Sequence, residues 1–211
     1  MAVSAKIDLI IQTSSKQNTI LTLLRAILAG VCIAIGAILY LTLGGVVGAV
    51  LFSIGLFSIL LLKLKLYTGA IGYIKTYKEI PTMGLIILGN LIGCCLMFAF
   101  PFEGANTIVA NKLSAPLFLA FIRAMLCGVL IYVAVEGYKA NNSLITLISI
   151  PSFILLGAEH SIADFCFFIA ARYISWDSIL LLLIVIIGNA LGSIIFHRIA
   201  KGELNELLRF K

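Results

Sequence analysis

Leu155-Leu156-Gly157-Ala158-Glu159-His160-Ser161-Ile162-Ala163-Asp164 is a polar interruption inside an apolar run from Leu144 to about Ala171. A run of that length is a membrane-spanning candidate, because about 20 helical residues cross a hydrocarbon core of about 30 Å. Glu159, His160 and Asp164 therefore fall at membrane depth. An ionisable group there is costly unless it faces a cavity, a partner or a pathway, so it marks a functional site. The plainer reading is a buried, hydrogen-bonded knot between helices. Gly157 can end one helix, and Ser161 to Asp164 has capping-box form for the start of another, so the stretch reads as half-helix, break, half-helix. Lipid cannot satisfy the backbone of a broken helix, which survives only inside protein or beside water. Half-helix N-termini carry partial positive charge and attract anions.

Outward from this stretch, composition sets the class. Of 211 residues 62% are hydrophobic and 11% charged, and the mean hydropathy is +1.18. Such a chain is a polytopic membrane protein with nearly all of its length in spans. The net charge of +6 raises the possibility of nucleic-acid binding, but the basic residues are few and separated and form no RNA-binding motif. No nucleic-acid partner is expected; the lipid bilayer is. Cys32, Cys94, Cys95, Cys127 and Cys166 all sit in apolar runs without a CxxC pair, which predicts buried structural thiols.

Residues 1–18 are polar and charged, without the apolar core of a cleavable signal peptide. Ile7, Leu9, Ile10 and Ile11 among Lys6, Asp8, Gln12 and Lys16 suggest a short amphipathic surface helix or a disordered leader. Spans are predicted over residues 19–43, 46–67, 81–100, 116–135, 144–171 and 178–196. The second is interrupted at Leu66-Tyr67-Thr68-Gly69 and the fifth at the opening stretch; residues 101–114 read as a loop. The predicted organisation is a segment at 1–18, a six-helix channel domain at 19–197 and a basic tail at 198–211 with a helical pattern. Six spans put both termini on one side. If that side is the cytoplasm, twelve of the fifteen Lys and Arg lie inside, and only Lys112, Arg123 and Arg172 lie outside. The expected location is the inner (cytoplasmic) membrane, multi-pass, with both termini cytoplasmic.

The chain also repeats itself. Arg25-Ala26-Ile27-Leu28-Ala29-Gly30 matches Arg123-Ala124-Met125-Leu126-Cys127-Gly128 at an offset of 98, and Gly89-Asn90-Leu91-Ile92-Gly93 matches Gly188-Asn189-Ala190-Leu191-Gly192 at 99. Each unit, about 19–100 and 115–197, holds three spans, an odd number, so the second is inverted relative to the first. The predicted fold is thus an all-α membrane protein of six transmembrane helices in two inverted three-helix repeats, with broken second and fifth helices. In such folds the breaks meet near the midplane, and Thr68 and His160 are expected to face each other.

These residues resemble the formate/nitrite transporter family. Phe52-Ser53-Ile54-Gly55-Leu56 followed by Leu66-Tyr67-Thr68-Gly69 is similar to its FSxGL and LFTG stretches. Gly157 to Ala163 is similar to its GFEHSxAN stretch, and Gly188 to Gly192 to its GNxxG. The resemblance covers about residues 20–200 and implies a homopentameric channel for small monovalent anions. It implies that His160 is the central pore histidine, Thr68 its partner on the first break, Asn189 a pore-side amide and Lys112 the outer-vestibule cation. Phe52, Leu56, Leu66, Tyr67 and Phe153 match constriction positions, where ordinary core packing is the plainer reading. The chain departs from the family at Lys63 and Lys65, near a position that is usually acidic, and at Ala70 and Asp164, which replace asparagines.

Driving a bare anion through an apolar constriction forfeits much of its hydration, whereas a weak acid can cross in neutral form. The expected mechanism is that Lys112 and the half-helix dipoles concentrate the anion and the falling dielectric favours its protonation. His160 then donates or relays the proton through Thr68, with Glu159 orienting His160 or pairing within the wall. The transported partners are therefore a small anion, such as formate, nitrite or hydrosulfide, and a proton. A pore for neutral solutes such as urea or water, with paired broken helices as in aquaporins, is the alternative. Catalysis would need a nucleophile or metal set at membrane depth, so no enzyme, cofactor or metal is expected.

Overall fold

The computed structural model describes residues 2–98 and 102–203, with side chains from residue 18 onward. Helix α1 (Ala2–Leu43) is a single helix of 42 residues. The surface helix and first span predicted separately are continuous, because neither Gly nor Pro occurs before Gly30 to interrupt the backbone. The amphipathic faces drawn from residues 3–17 lie outside the described side chains, as do residues 204–211 of the predicted tail helix. A turn at Gly44 leads into α2 (Gly45–Leu61), followed by the short α3 (Tyr67–Ala70). Helix α4 (Ile80–Met97) starts after a 3-10 turn whose Thr76 and Glu79 satisfy each other's backbone.

The stretch read as a loop before the fourth span contains a helix, α5 (Ala105–Ser114). Its polar asparagines disguise it, and Gly104 starts it from a left-handed conformation at φ 82°. Helices α6 (Leu117–Lys139), α7 (Ser143–Leu155), α8 (Ser161–Ala170) and α9 (Trp176–Ala200) follow in order. Among the described residues, four helices are long and apolar enough to cross a membrane. The remaining two spans are built from α2 with α3 and from α7 with α8, and no strand occurs among the described residues.

Two three-helix units are packed alike. Helix α1 packs on α4 and α2 as α6 packs on α9 and α7, while α2 and α7 join the units. The close approach is built from the repeated glycines. A Cβ on Gly93 would overlap the carbonyl oxygen of Ile27 on α1, and one on Gly192 that of Met125 on α6. The absence of side chains there lets backbones touch, as in membrane helix pairs generally. Of the cysteines predicted to be buried, Cys94, Cys127 and Cys166 are, whereas Cys32 is half-buried and Cys95 exposed.

The two breaks are also copies. Helix α2 ends with Leu64 N–H on Ile59 O and Lys63 N–H on Leu60 O; α7 ends with Ala158 N–H on Phe153 O and Gly157 N–H on Ile154 O. Both are Schellman-type ends, which need a left-handed residue. Gly157 takes it at φ 64°, and Lys63 takes it at φ 54° despite its Cβ. The first break therefore spans residues 62–66, ahead of the Leu66 to Gly69 position expected from sequence. Thr68 lies inside α3.

Candidate functional site

Each break is tied down by an asparagine from the last helix of its own unit. Asn90 on α4 accepts from Tyr67 N–H at 3.0 Å and donates to the carbonyls of Ala26 and Lys65, both at 2.8 Å. Asn189 on α9 accepts from Ser161 N–H at 2.9 Å and donates to Ala124 O at 2.9 Å and Glu159 O at 2.8 Å. These bonds satisfy the backbone that an interrupted helix exposes where no water competes. Asn189, implied by resemblance to be a pore-side amide, is fully buried with its amide spent on three backbone groups. Asn90, its twin, was not singled out, although the repeated GN pair carried the signal.

The breaks bring Thr68 and His160 together. His160 occupies the N-cap of α8, where its Nδ1 accepts the Ala163 N–H at 3.1 Å. That bond leaves the neutral ring's proton on Nε2, which donates to Thr68 Oγ1 at 2.9 Å. The capping box predicted between Ser161 and Asp164 does not form. The imidazole takes the cap, Ser161 is the first helical residue and Asp164 turns to Lys112 instead. Phe153 lies against the imidazole, with ring centroids 5.5 Å apart and planes at 25°, and Phe52 meets Phe153 edge-on at 5.9 Å. The counterpart of His160 at the first break is Leu66, so the repeat is broken chemically where the two halves meet.

Two cavities flank this layer. One, of about 230 Å³, is lined by Phe52, Lys112, Arg123, Phe153, His160 and Asp164, among others. The other, of about 330 Å³, is lined by Leu56, Lys65, Leu66, Tyr73 and Lys139, among others. Phe52 and Leu56, one turn apart on α2, thus face different cavities, and a buried apolar layer about one helical turn thick separates them. Tyr67, matched by resemblance to a constriction, is turned into the wall, where its hydroxyl donates to Ile186 O at 3.0 Å.

Lys112 reaches this site from α5. Its ammonium pairs with Glu159 Oε2 and, at 2.8 Å, with Asp164 Oδ1. Both carboxylates are buried, at 2% and 1% exposure. Beside the second cavity, Glu136 gathers Tyr73 Oη at 2.7 Å, Lys139 Nζ at 3.0 Å and Lys201 Nζ at 2.7 Å. This cluster joins the ends of α6 and α9 and has no signature in the linear sequence.

With this geometry in place, the family model of the formate/nitrite transporter matches residues 2–201. The chain belongs to the formate/nitrite transporter family. It is 25% identical to the formate channel FocA of Haemophilus influenzae, over 71% of this chain and 66% of that protein. The chain thus spans just under two thirds of that relative's length. Among solved structures it resembles an FNT family ion channel with a TM-score of 0.79 and 21% identity, over 90% of this chain and 92% of the other. It also resembles a pentameric formate channel with formate bound, with a TM-score of 0.71 and 19% identity, over 93% and 99% of the two chains. Family membership makes the chain a multi-pass membrane protein of the transporter class, and the structures share its all-helical fold.

Proposed function

We propose that the chain is a channel for small monovalent anions of weak acids, formate being the first candidate, and that the acid crosses the apolar layer in neutral form. The observation that carries this reading is a single polar pair, Thr68 and His160, set within the apolar layer between two cavities. A bare anion entering that layer loses hydration that one hydroxyl and one imidazole do not replace, whereas a protonated acid needs only one or two hydrogen bonds. Neutral His160 has Nδ1 occupied by the Ala163 N–H, so a second proton there would cost the cap of α8. His160 therefore works as a fixed donor. Thr68 receives Nε2–H and is left to offer its own hydroxyl hydrogen to a substrate oxygen, while the acid's proton travels with the substrate.

The assembly proposed is a homopentamer in the inner membrane with both termini cytoplasmic, which the distribution of Lys and Arg supports. Residues 19–197 form the channel domain and 1–18 and 198–211 its flanks. The test is flux into proteoliposomes holding the purified chain, with formate, nitrite, hydrosulfide, lactate and urea compared across a pH series. Weak-acid flux that rises with acidity supports the reading. Flux of urea alone would overturn it.

A further inference from the structure

Resting on the anion-channel reading, we infer that Arg123, and not Lys112, is the residue that captures the anion in the first cavity, and that it favours planar two-oxygen anions. Lys112 is the obvious cation of this cavity, yet its ammonium is held between Glu159 and Asp164. One positive charge faces two carboxylates. The second oxygen of Asp164 is buried with no hydrogen-bond partner, and the ammonium's charge is already matched within the cluster. An anion approaching that ammonium meets both carboxylates at hydrogen-bond range, and repulsion offsets the attraction. The three groups form a wall element that closes α5 onto the second break.

Arg123 lines the same cavity from α6. It is half-buried, and among the described residues its guanidinium makes no ion pair. Its own carbonyl accepts the Glu159 N–H at 3.4 Å, which anchors its backbone beside the break that carries His160. A half-buried arginine beside a cavity needs a ligand or water to supply its partners. The guanidinium is a planar fork with parallel N–H groups, matched to the two oxygens of a carboxylate or of nitrite. Hydrosulfide offers one acceptor atom, its sulfur, and cannot span the fork. Capture at Arg123 therefore discriminates by shape before the acid is neutralised and passed to Thr68 and His160.

The test is initial flux of formate, nitrite and hydrosulfide in proteoliposomes holding the full chain or its R123Q, R123K and D164N variants, each checked for an intact oligomer by size exclusion. R123Q should raise the formate and nitrite KM about tenfold, the weight of one charge-assisted bidentate contact, and change maximal flux less. R123K should recover part of the formate KM but not the preference of formate over hydrosulfide. D164N, which releases Lys112, should lower the KM for all three. An unchanged formate KM in R123Q with an intact oligomer would overturn the inference, and wild-type selectivity in R123K would remove its shape component. Absence of anion flux in the wild-type chain would instead overturn the channel reading beneath it.

Discussion

Thr68 and His160, 92 positions apart in the chain, share a hydrogen bond of 2.9 Å where the two interrupted spans meet. Since Ala163 N–H holds Nδ1, the bond has a direction, from imidazole to hydroxyl. Thr68→Val removes the acceptor and leaves a buried N–H without a partner, a loss of about 1–3 kcal/mol. Because the hydroxyl offered to the substrate is gone as well, flux of a weak acid should fall by about tenfold, the weight of one lost hydrogen bond, while Thr68→Ser should stay close to wild type. Equal flux in the valine and wild-type proteins, measured at matched density in proteoliposomes, would show that the pair is structural only.

The asparagine twins lead to a symmetric expectation. Asn90→Ala and Asn189→Ala each orphan one backbone N–H and two carbonyls at a break, so each should destabilise by about 2–5 kcal/mol on the scale of unpaired buried polar groups. Loss of thermal stability in detergent is the measurement, and both variants should lower Tm by similar amounts. Asn189→Asp keeps the acceptor for Ser161 N–H but loses both donors, and should fall on the destabilised side as well. A large drop for one twin and none for the other would contradict the shared clamp.

The second of these breaks was legible in the sequence and the first only in outline, for a physical reason. Gly157, Glu159 and His160 announce a helix end and a polar site together, whereas the first break turns on Lys63, a residue that gives no local hint of φ 54°. The repeat of glycines and asparagines disclosed the inverted architecture because close backbone contact and clamped breaks need these residues at the same places in both units. Helix α5 stayed hidden because Asn106, Asn111 and Lys112 look like loop residues until the cavity that Asn111 and Lys112 line is known. The pairing of Asp164 with Lys112 is a tertiary event across two helices, which spacing along the chain does not encode. The orientation of Tyr67 is likewise a tertiary matter, since its hydroxyl reaches Ile186 O on α9 only through the rotation of α3.

Helix contact through glycine offers a test with its own control. Gly192→Ala and Gly93→Ala place a methyl group against backbone carbonyls of the paired helix, which cannot move aside as a side chain could. Both should lower Tm clearly and weaken oligomer retention, with overpacking costs of about 1–3 kcal/mol or more. Gly84, also on α4, has nothing within 4 Å of its added Cβ. Gly84→Ala should be neutral or stabilise by about 0.5–1 kcal/mol through helix propensity. Equal tolerance at all three positions would mean that the helices are not held at backbone contact.

The Lys112 cluster predicts how charge and stability are linked. Burial alone would push the Lys112 ammonium to a lower pKa, but Asp164 and Glu159 outweigh it and hold the group above the ordinary lysine range. A pKa raised on folding contributes stability that is complete below the unfolded value and is lost only as pH rises through the folded one. Across about pH 6–9, well below the ordinary lysine pKa, the Lys112 contribution should therefore be flat. Lys112→Met strands two buried carboxylates and should cost about 3–5 kcal/mol, the penalty for breaking a buried pair from one side. Combining it with Glu159→Gln and Asp164→Asn removes the stranded charges, so the triple variant should recover most of the lost Tm. If the single and triple variants melt together, the ion pairs do not hold α5 to the break.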